Sequence, residues 1–484
     1  MKMFVAGKDL ESTNSEYVDV RNPARHSSVV DRVPKGTKED AKAAIDAAED
    51  TFCKNPQWSS THESRFRGKI LWKIAELADQ MKDELAKSLT LEQGKPLKES
   101  KGEIESWVNT FEYFAGFRGK LEGRLLHTRS GDRLLEVREI LEPLGVCGAI
   151  TPWNYPISLL GRTIAPSLMA GNTIVIKPSI TTPLTTLHIA KLMSKAGLPD
   201  GVVNVVTGPS NEVGNELVSN NKVRKIGFTG STDTGKRILL EGADQIKRVS
   251  LELGGSDPTV VCDDADLEEA AQTVVMGRYT NCGQNCTAIK RVYVFEKIAG
   301  EFVKRLKEKV SALKVGPGTD PSTTMGPLHN ASQLESVESM VNNAMEKGAK
   351  AVAGGKKPKG DLYSDGYFYE PTVLVDLDDH STILTEECFG PALPIATVTG
   401  LDEAIEKANR SNYGLGSSIW TKSEANQKTF EQKIEAGMIC VNSTFMSIPE
   451  ASFVGVKDSG VGTSNGPLGL LEYLRVRSVR KPIS

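Results

Sequence analysis

Residues 38–118 carry apolar side chains at helical spacing, as in "AKAAIDAAEDTF" and "FRGKILWKIAELADQMKDELAKSLTLEQ". Apolar positions that recur every three or four residues form one face of a helix, so this region predicts two or three amphipathic helices. Residues 125–142 ("LLHTRSGDRLLEVREILE") instead indicate a β-hairpin that turns around Ser130 and Gly131.

From Val146 onward, short apolar runs alternate with helical patterns. The runs "VCGAIT", "NTIVIKP", "VVNVVTG", "VRKIGFTG" and "RVSLELGG" are separated by segments such as "PLTTLHIAKLMSKAG". This repetition predicts a parallel sheet with helices on both faces, whose ligands gather beyond the carboxyl ends of the strands. After Asp257, runs such as "AIKRVYVF", "ALPIATV" and "GMICVN" predict a second α/β domain. The tail "EYLRVRSVRKPI" predicts a strand that can pair with another chain.

Length and composition narrow the class of protein. A single core stops growing at roughly 250–300 residues, so a chain of 484 residues should contain two or more domains. Lys and Arg (59) nearly balance Asp and Glu (62), which excludes the basic surface of a nucleic-acid-binding protein. The N-terminus carries no targeting pattern and no apolar run reaches about 18 residues, which predicts a soluble cytoplasmic protein without membrane contact. Seven Cys and six His without metal-type spacing indicate neither a disulfide scaffold nor a metal site.

The stretch "FTGSTDTGKR" is similar to a phosphate-binding loop. In an NTPase loop, the Lys is followed by a Ser or Thr that holds magnesium, whereas here Lys236 is followed by Arg237. Gly230 and Ser231 lie between a predicted strand and a predicted helix, so helix N–H groups and the helix dipole would face a bound anion. The pattern favours a dinucleotide pyrophosphate over a magnesium-bound triphosphate, with simple helix capping by Ser231 or Thr232 as the alternative.

The strand "TIVIKPSITTP" bears on the choice of dinucleotide. It ends without the carboxylate that commonly holds the 2′-hydroxyl of the adenosine ribose. Lys177 and Ser179 at its end could receive a 2′-phosphate, which favours NADP and leaves NAD possible. The alternative is that Lys177 is a solvated charge at a strand end.

Two kinds of reactive group lie in glycine-rich surroundings. Cys282 and Cys286 in "NCGQNCTAIKRVYV" precede a predicted strand, and a thiol there is a nucleophile if its pKa is lowered or a neighbour accepts its proton. Either cysteine can equally be an inert apolar side chain, and a disulfide between the two is a further hypothesis. Glu252 in "SLELGGSDP" is either a buried general base with a raised pKa or a solvated carboxylate at a strand edge.

Together these motifs resemble the aldehyde dehydrogenase superfamily over essentially the whole chain. The matching segments, in that family's order and at about its spacings, are "TPWNYP", "KPS", "FTGSTDTG", "LELGG", "GQNC", "EECFGP" and "GVKDSGVG". The resemblance implies an NAD(P)-dependent, non-acylating enzyme, nearest to hydroxyaldehyde and semialdehyde dehydrogenases. It implies an α/β fold with a Rossmann-like cofactor domain (residues 1–122 and 142–252), a second α/β catalytic domain (253–442) and a small β oligomerisation arm (123–141 and 465–484).

The same resemblance implies roles for individual residues. Cys286 corresponds to the nucleophile, Glu252 to the base that activates water, and Asn154 to the side-chain donor of the oxyanion hole. Lys177 would contact the adenosine ribose and Glu387 the nicotinamide ribose. The full set of implied cofactor contacts is Thr151, Pro152, Trp153, Lys177, Ser179, Gly230, Ser231, Leu253, Glu387 and Phe389.

Arg162 bears on the substrate, because family members that act on hydroxyaldehydes or semialdehydes often carry Arg at this tunnel position. A guanidinium there favours a short polar or anionic aldehyde, unless it pairs with an acidic neighbour instead. Tyr155, Thr287 and Phe453 are implied to line the rest of the tunnel. We therefore predict oxidation of a hydroxyaldehyde such as glyceraldehyde or lactaldehyde to its acid. A succinate-semialdehyde dehydrogenase or a broad-specificity aldehyde dehydrogenase is the alternative.

Three further features follow from the resemblance. Ile180 stands where NAD-preferring members commonly carry Glu, which again favours NADP. Glu252 is commonly missing from CoA-acylating members, and an intact Cys286 argues against a non-catalytic structural relative. Members assemble as dimers or tetramers, so a homo-oligomer is expected.

Overall fold

The computed structural model describes residues 1–483, and the region 38–118 is helical as the apolar spacing predicts, but it forms five helices rather than two or three. These helices are Lys38–Lys54, Pro56–Ser59, Ser64–Gln80, Lys82–Gln93 and Leu97–Ala115. Thr37 caps the first of them in a reciprocal pair with Asp40. Gly94 ends the fourth in the left-handed conformation that glycine adopts without strain. The helices bury Trp107 and Phe111 in the core of a first α/β unit.

An eight-stranded sheet lies at the centre of this first unit. Its strands, in spatial order, are Lys8–Leu10, Met3–Val5, Val203–Val205, Thr173–Lys177, Val146–Ile150, Val223–Thr229, Arg248–Glu252 and Gly460–Val461. The middle five are parallel, which confirms the predicted sheet, whereas the three outer strands pair antiparallel. The parallel strands, numbered along the chain, run in the order 3-2-1-4-5. The helices that accompany them are Pro156–Ala170, Leu184–Lys195, Asn215–Ser219 and Thr232–Ala243.

A seven-stranded sheet forms the second unit. Its strands, in spatial order, are Lys350–Ala353, Thr372–Val375, Ala392–Val398, Ile289–Phe295, Asp257–Val261, Gly416–Trp420 and Met438–Val441. Only the first pairs antiparallel, so the predicted second α/β unit is confirmed. Its helices are Leu267–Tyr279, Glu296–Ser311, Ala331–Glu346, Thr382–Thr385, Leu401–Asn409 and Glu424–Lys433.

The predicted hairpin is confirmed as strands Arg124–Ser130 and Arg133–Pro143, which turn at Gly131. The tail strand Leu474–Pro482 pairs with Arg133–Pro143 of the same chain and completes a three-stranded antiparallel sheet. Before it, helix Gly466–Leu471 packs into the core of the first unit. Pairing of this sheet with another chain stays a prediction, as do the domain boundaries.

The remaining elements are short. Two-stranded ribbons pair Tyr17–Asn22 with Arg25–Pro34 and Tyr413–Gly414 with Val456–Lys457. Single helical turns occur at Thr61–Glu63, Ser210–Gly214, Thr280–Gly283 and Asp361–Tyr363. Within residues 1–483, no helix combines the length and the hydropathy needed to cross a membrane.

The arrangement of the two sheets positions the site. In the first sheet the strand order reverses between Val146–Ile150 and Val223–Thr229, and sheets of this kind bind ligands beyond the carboxyl ends at such a point. The chain then enters the second sheet through Gly254 and Gly255, and Cys286 lies just before its strand Ile289–Phe295. The carboxyl edge of one sheet therefore faces residues at the amino edge of the other.

Candidate active site

Two cavities meet at Cys286. One, of about 320 Å³, is lined by four predicted substrate residues: Tyr155, Arg162, Thr287 and Phe453. The other, of about 230 Å³, is lined by eight residues predicted for the site: Pro152, Trp153, Asn154, Gly230, Ser231, Leu253, Glu387 and Phe389. We call the first the tunnel and the second the cleft. Cys286 lines both, so a single thiol can reach a molecule in either cavity.

The loop that carries Cys286 is held by Lys290, which the sequence analysis did not single out. The buried Lys290 ammonium donates hydrogen bonds to the backbone oxygens of Asn285 (2.9 Å) and Cys286 (2.6 Å). It also pairs with Glu387 at 3.1 Å. Burial raises the pKa of the Cys286 thiol to about 12, and the positive charges of Lys290 and Arg162 oppose that rise. Nearby cations therefore favour the thiolate in an otherwise poorly solvated place.

Just before this loop the backbone is strained. Asn281 and Cys282 adopt positive φ angles of 52° and 56°, which side chains other than glycine rarely adopt. Glu99 stabilises the turn by accepting the N–H of Asn281 at 2.8 Å. The Asn281 side chain donates to the backbone oxygen of Asn154 at 2.9 Å, and the Asn154 side chain donates to that of Gln284 at 3.1 Å. The turn thus connects the candidate oxyanion donor to the segment that carries the thiol.

The two cysteines of this segment lie in different surroundings. Cys282 is buried in the core of the second unit, where burial raises the pKa of its thiol strongly. Both Cys282 and Cys286 are free thiols in the structure. A disulfide between them stays a prediction.

A buried ion pair supports the turn beneath Asn154. Lys95 and Glu103 pair at 2.6 Å with both side chains fully buried. Glu103 accepts the N–H groups of Ile157 (2.9 Å) and Ser158 (3.2 Å), so it caps helix Pro156–Ala170, which has no capping side chain of its own. Lys95 donates to the backbone oxygen of Asn154 at 2.8 Å. Sequence reasoning missed this pair because a charged residue on an amphipathic helix, such as Glu103, or in a connection between helices, such as Lys95, usually faces water.

Arg162 has the acidic neighbour that the sequence analysis left open, and it also lines the tunnel. Its Nη1 lies 3.7 Å from Oε2 of Glu252, and the two side chains are only 7% and 12% exposed. Its Nη2 donates to Oγ of Ser447 at 2.8 Å, and the guanidinium lies 4.3 Å from the centre of the Phe453 ring. Glu252 is therefore neither solvated nor free, and it lines neither of the two cavities.

Three predicted cofactor residues lie beside the cleft rather than in its lining: Thr151, Lys177 and Ser179. Lys177 is 4% exposed, and its ammonium donates only a long hydrogen bond, at 3.3 Å, to the backbone oxygen of Pro178. Burial lowers the pKa of Lys177 to about 8, so this lysine is not a solvated charge. The side chain of Ile180 packs against the first core and leaves no carboxylate at this strand end.

Ser231 caps helix Thr232–Ala243 through Thr234 N and also lines the cleft, so the cap does not exclude a contact between Ser231 and a ligand. Aromatic rings form one wall of the cleft. The Trp153 ring stacks on the His329 ring with their centres 4.6 Å apart, and it meets the Phe389 ring edge-on at 5.6 Å. His329 was not anticipated from the sequence. Burial lowers its pKa to about 4, so it is a neutral partner for the indole.

The carboxylate end of the cleft is tightly built. Glu387 accepts the N–H of Gly255 at 3.1 Å, and a side chain at Gly254 would lie 2.5 Å from Oε2 of Glu387. A helix N-terminus, an aromatic wall, a fixed carboxylate and a poorly partnered lysine fit a pyrophosphate, a flat ring and ribose hydroxyls. These residues therefore suit a nicotinamide dinucleotide. Within residues 1–483, no group of three or more His, Cys, Asp or Glu side chains could hold a metal ion.

Comparisons with known proteins agree with this geometry. The sequence model of the Aldehyde dehydrogenase family matches residues 10–479. The chain is 39% identical to betaine aldehyde dehydrogenase of Bacillus subtilis (99% of this chain, 96% of the relative). It is 38% identical to the NADP(+) succinate-semialdehyde dehydrogenase of Escherichia coli (98% and 96%) and 38% identical to the NADP(+) D-glyceraldehyde dehydrogenase of Picrophilus torridus (99% and 96%). The crystal structure of Staphylococcus aureus betaine aldehyde dehydrogenase in complex with NAD+ superimposes with a TM-score of 0.96 at 36% identity (99% of this chain, 95% of that chain). The chain belongs to the aldehyde dehydrogenase family.

Proposed function

We propose that this enzyme oxidises a small polar aldehyde, a hydroxyaldehyde such as glyceraldehyde or lactaldehyde, to its carboxylic acid with NADP. The observation that carries the substrate proposal is the Arg162 guanidinium in the wall of the tunnel that ends at Cys286. A buried guanidinium favours a substrate oxygen that can accept its N–H bonds. The relatives act by name on betaine aldehyde, succinate semialdehyde and D-glyceraldehyde, so their names alone do not select one substrate.

The proposed reaction begins when the Cys286 thiol releases its proton to water and the resulting thiolate attacks the aldehyde carbon. The electron pair of the carbonyl moves to its oxygen, which accepts hydrogen bonds from the Asn154 side chain and the Cys286 N–H. Preorganised donors of this kind stabilise such an oxyanion by about 3 kcal/mol each. A bound nicotinamide would accept the hydride that leaves this carbon, and a thioester remains on Cys286. Glu252 then takes a proton from water, the water oxygen attacks the thioester carbonyl, and the C–S bond breaks to release the acid.

The preference for NADP is supported at one strand end. Lys177 is buried with a single long hydrogen bond, Ser179 offers a hydroxyl, and Ile180 supplies no carboxylate. A dianionic 2′-phosphate would give the Lys177 ammonium the partner that it lacks. A ribose 2′-hydroxyl carries no charge, so it would be a weaker partner for the Lys177 ammonium.

Succinate-semialdehyde oxidation is the second candidate, because the Arg162 guanidinium also fits a carboxylate. However, the tunnel is lined by Glu99 as well, and burial raises the pKa of that carboxyl to about 7. Glu99 is therefore partly ionised near neutral pH. Its negative charge disfavours an anionic substrate but does not disfavour a neutral hydroxyl. This contrast favours the hydroxyaldehyde.

A direct assay tests the proposal. Purified enzyme is mixed with DL-glyceraldehyde, and reduced nicotinamide is followed by absorbance with NADP and, separately, with NAD. We expect rapid reduction of NADP that is absent in Cys286→Ala. In Arg162→Ala, kcat/KM for glyceraldehyde should fall by about 10- to 100-fold, while that for acetaldehyde should not fall. Equal losses for both aldehydes would remove Arg162 from substrate recognition, and turnover of succinate semialdehyde alone would favour the second candidate.

We also propose that the three-stranded sheet is part of a homo-oligomer interface. Leu125 and Val476 each leave 61% of their surface exposed on its strands. Apolar side chains exposed on a sheet commonly mark a contact surface. Light scattering of the purified enzyme should give a dimer or a tetramer, and a monomer would refute the assignment.

A further inference from the structure

The contact between Arg162 and Glu252 is incomplete as an ion pair. Nη1 of Arg162 and Oε2 of Glu252 lie 3.7 Å apart, beyond hydrogen-bond distance. Both atoms are buried, and within residues 1–483 neither has a hydrogen-bond partner. Buried polar atoms without partners are costly, so each of these two atoms would gain from a closer partner. The charges hold the side chains together, but the contact can be exchanged for a better one.

The rest of the guanidinium is fixed. Nη2 donates to Ser447 at 2.8 Å, and the Phe453 ring packs against its face at 4.3 Å. Ser447 and Phe453 both line the tunnel, so the guanidinium is held where a substrate arrives. Nη1 is thus a buried donor without a hydrogen-bond partner in the described part of the chain, on a guanidinium whose side chain lines the tunnel.

We propose that Arg162 is a positioning residue for Glu252: it retains the carboxylate in a resting pair until a polar substrate group accepts from Nη1. The inference rests on the proposed function, because it takes Glu252 as the base of thioester hydrolysis and Arg162 as a substrate contact. When a substrate hydroxyl accepts the Nη1 hydrogen, the Glu252 carboxylate loses its closest positive charge and can turn toward water. An apolar aldehyde leaves the pair intact.

The step that this exchange controls is deacylation. Released Glu252 accepts one proton from water as the water oxygen bonds to the thioester carbon. The C–S bond then breaks, its electron pair stays on the Cys286 sulfur, and the carboxylic acid leaves. The reaction of the thiol with the aldehyde uses neither Glu252 nor the exchange. Acylation should therefore proceed with polar and apolar aldehydes alike, whereas hydrolysis should depend on substrate polarity.

Rapid mixing separates the two steps. With propanal, the enzyme should release about one equivalent of reduced cofactor per site in a fast phase, followed by slow turnover, because hydrolysis limits the rate. With glyceraldehyde this burst should be absent or small. The comparison uses the unaltered enzyme, so it does not depend on the folding of a variant. Equal burst amplitudes for the two aldehydes would overturn the inference.

Two substitutions test the residue itself. Arg162→Met removes the positive charge, so the propanal burst should disappear and steady-state turnover of propanal should rise by about tenfold. Arg162→Lys keeps a charge in the same place and should keep the burst. If the propanal burst persists in Arg162→Met, or if both variants lose it, the positioning role is wrong. If the parent enzyme reduces its cofactor with neither aldehyde, the proposed function itself fails, and this inference fails with it.

Discussion

Lys290 offers the most quantitative test of how the thiol is held. Its ammonium donates to two backbone oxygens, of Asn285 and Cys286, and pairs with Glu387. Substituting Lys290 by Met keeps the volume but leaves these three acceptors without their donor. Hydrogen bonds to a charged group contribute about 1.5–3 kcal/mol each, and removing one partner of a buried ion pair costs about 3–5 kcal/mol. These contributions share one ammonium and are not additive, and water can reach part of Glu387, which retains 19% exposure, so we expect the free energy of unfolding to fall by about 3–5 kcal/mol in total.

The same substitution should slow alkylation of the thiol. Lys290 is the largest influence that lowers the pKa of Cys286 against the effect of burial, so its removal should raise that pKa and reduce the thiolate fraction. Iodoacetamide labelling at pH 8, followed by mass spectrometry of the peptide that contains Cys286, measures this rate. It should fall several-fold in Lys290→Met.

A matched control distinguishes the effect of losing the buried Lys290–Glu387 pair from the effect of losing any lysine charge. Lys297 pairs with Asp263 at 2.9 Å, but its side chain is 81% exposed, so Lys297→Met should cost at most about 1 kcal/mol and leave labelling unchanged. Urea unfolding measures the stability of each variant. Adding Glu387→Gln to Lys290→Met should restore part of the lost stability, seen as a higher urea midpoint, because it removes the unpaired carboxylate. The reasoning is refuted if Lys290→Met and Lys297→Met unfold at the same urea concentration and label Cys286 at the same rate.

Further predictions concern the cofactor and the strained turn. Burial lowers the pKa of Lys177 to about 8, so its charge is present below that pH and lost above it. The KM for NADP should therefore rise above pH 8, while the KM for NAD stays nearly constant. Ile180→Glu should reduce kcat/KM for NADP by roughly 10- to 100-fold through repulsion of the 2′-phosphate and improve it for NAD; unchanged ratios would place the phosphate elsewhere. Glu99→Ala leaves the Asn281 N–H without its acceptor and should lower stability by about 1–3 kcal/mol, whereas Glu99→Gln should keep both the bond and the urea midpoint.

The order of elements could be predicted because it depends on local pattern. The parallel strands are nearly continuous apolar runs, and "ALPIATV" became the strand Ala392–Val398 without a shift at either end. Several strands that were not predicted, such as Met3–Val5 and Gly460–Val461, are only two or three residues long, although the ribbon of Tyr17–Asn22 and Arg25–Pro34 was not predicted either. Met3–Val5 and Gly460–Val461 are too short to show the alternation of apolar and polar residues that predicts a strand. Each forms a strand only because it pairs with the edge of a sheet built from distant residues.

The site residues show the same difference between what local sequence patterns predict and what long-range contacts decide. Residues in compact motifs, such as Cys286 and Asn154, could be named from the sequence, and the structure brings both to the cleft. Their supporting charges could not be named, since their burial depends on how distant parts of the chain pack together, as with Lys290 and Glu387. A lysine at the start of a strand has no local feature that distinguishes a buried cation from a solvated one.

Arg162 and Glu99 together support the proposal of a neutral polar aldehyde as substrate. The guanidinium can only donate hydrogen bonds, and the Glu99 carboxylate oxygens accept them, so a ligand that touches both must be able to accept and to donate. A hydroxyl does both. A carboxylate can satisfy Arg162 but only accepts, and the ionised form of Glu99 in the same cavity repels it. The trimethylammonium group of betaine aldehyde neither donates nor accepts, and it would share the tunnel with a fixed cation. The charge pattern of the cavity is therefore the argument for proposing a hydroxyaldehyde rather than succinate semialdehyde or betaine aldehyde.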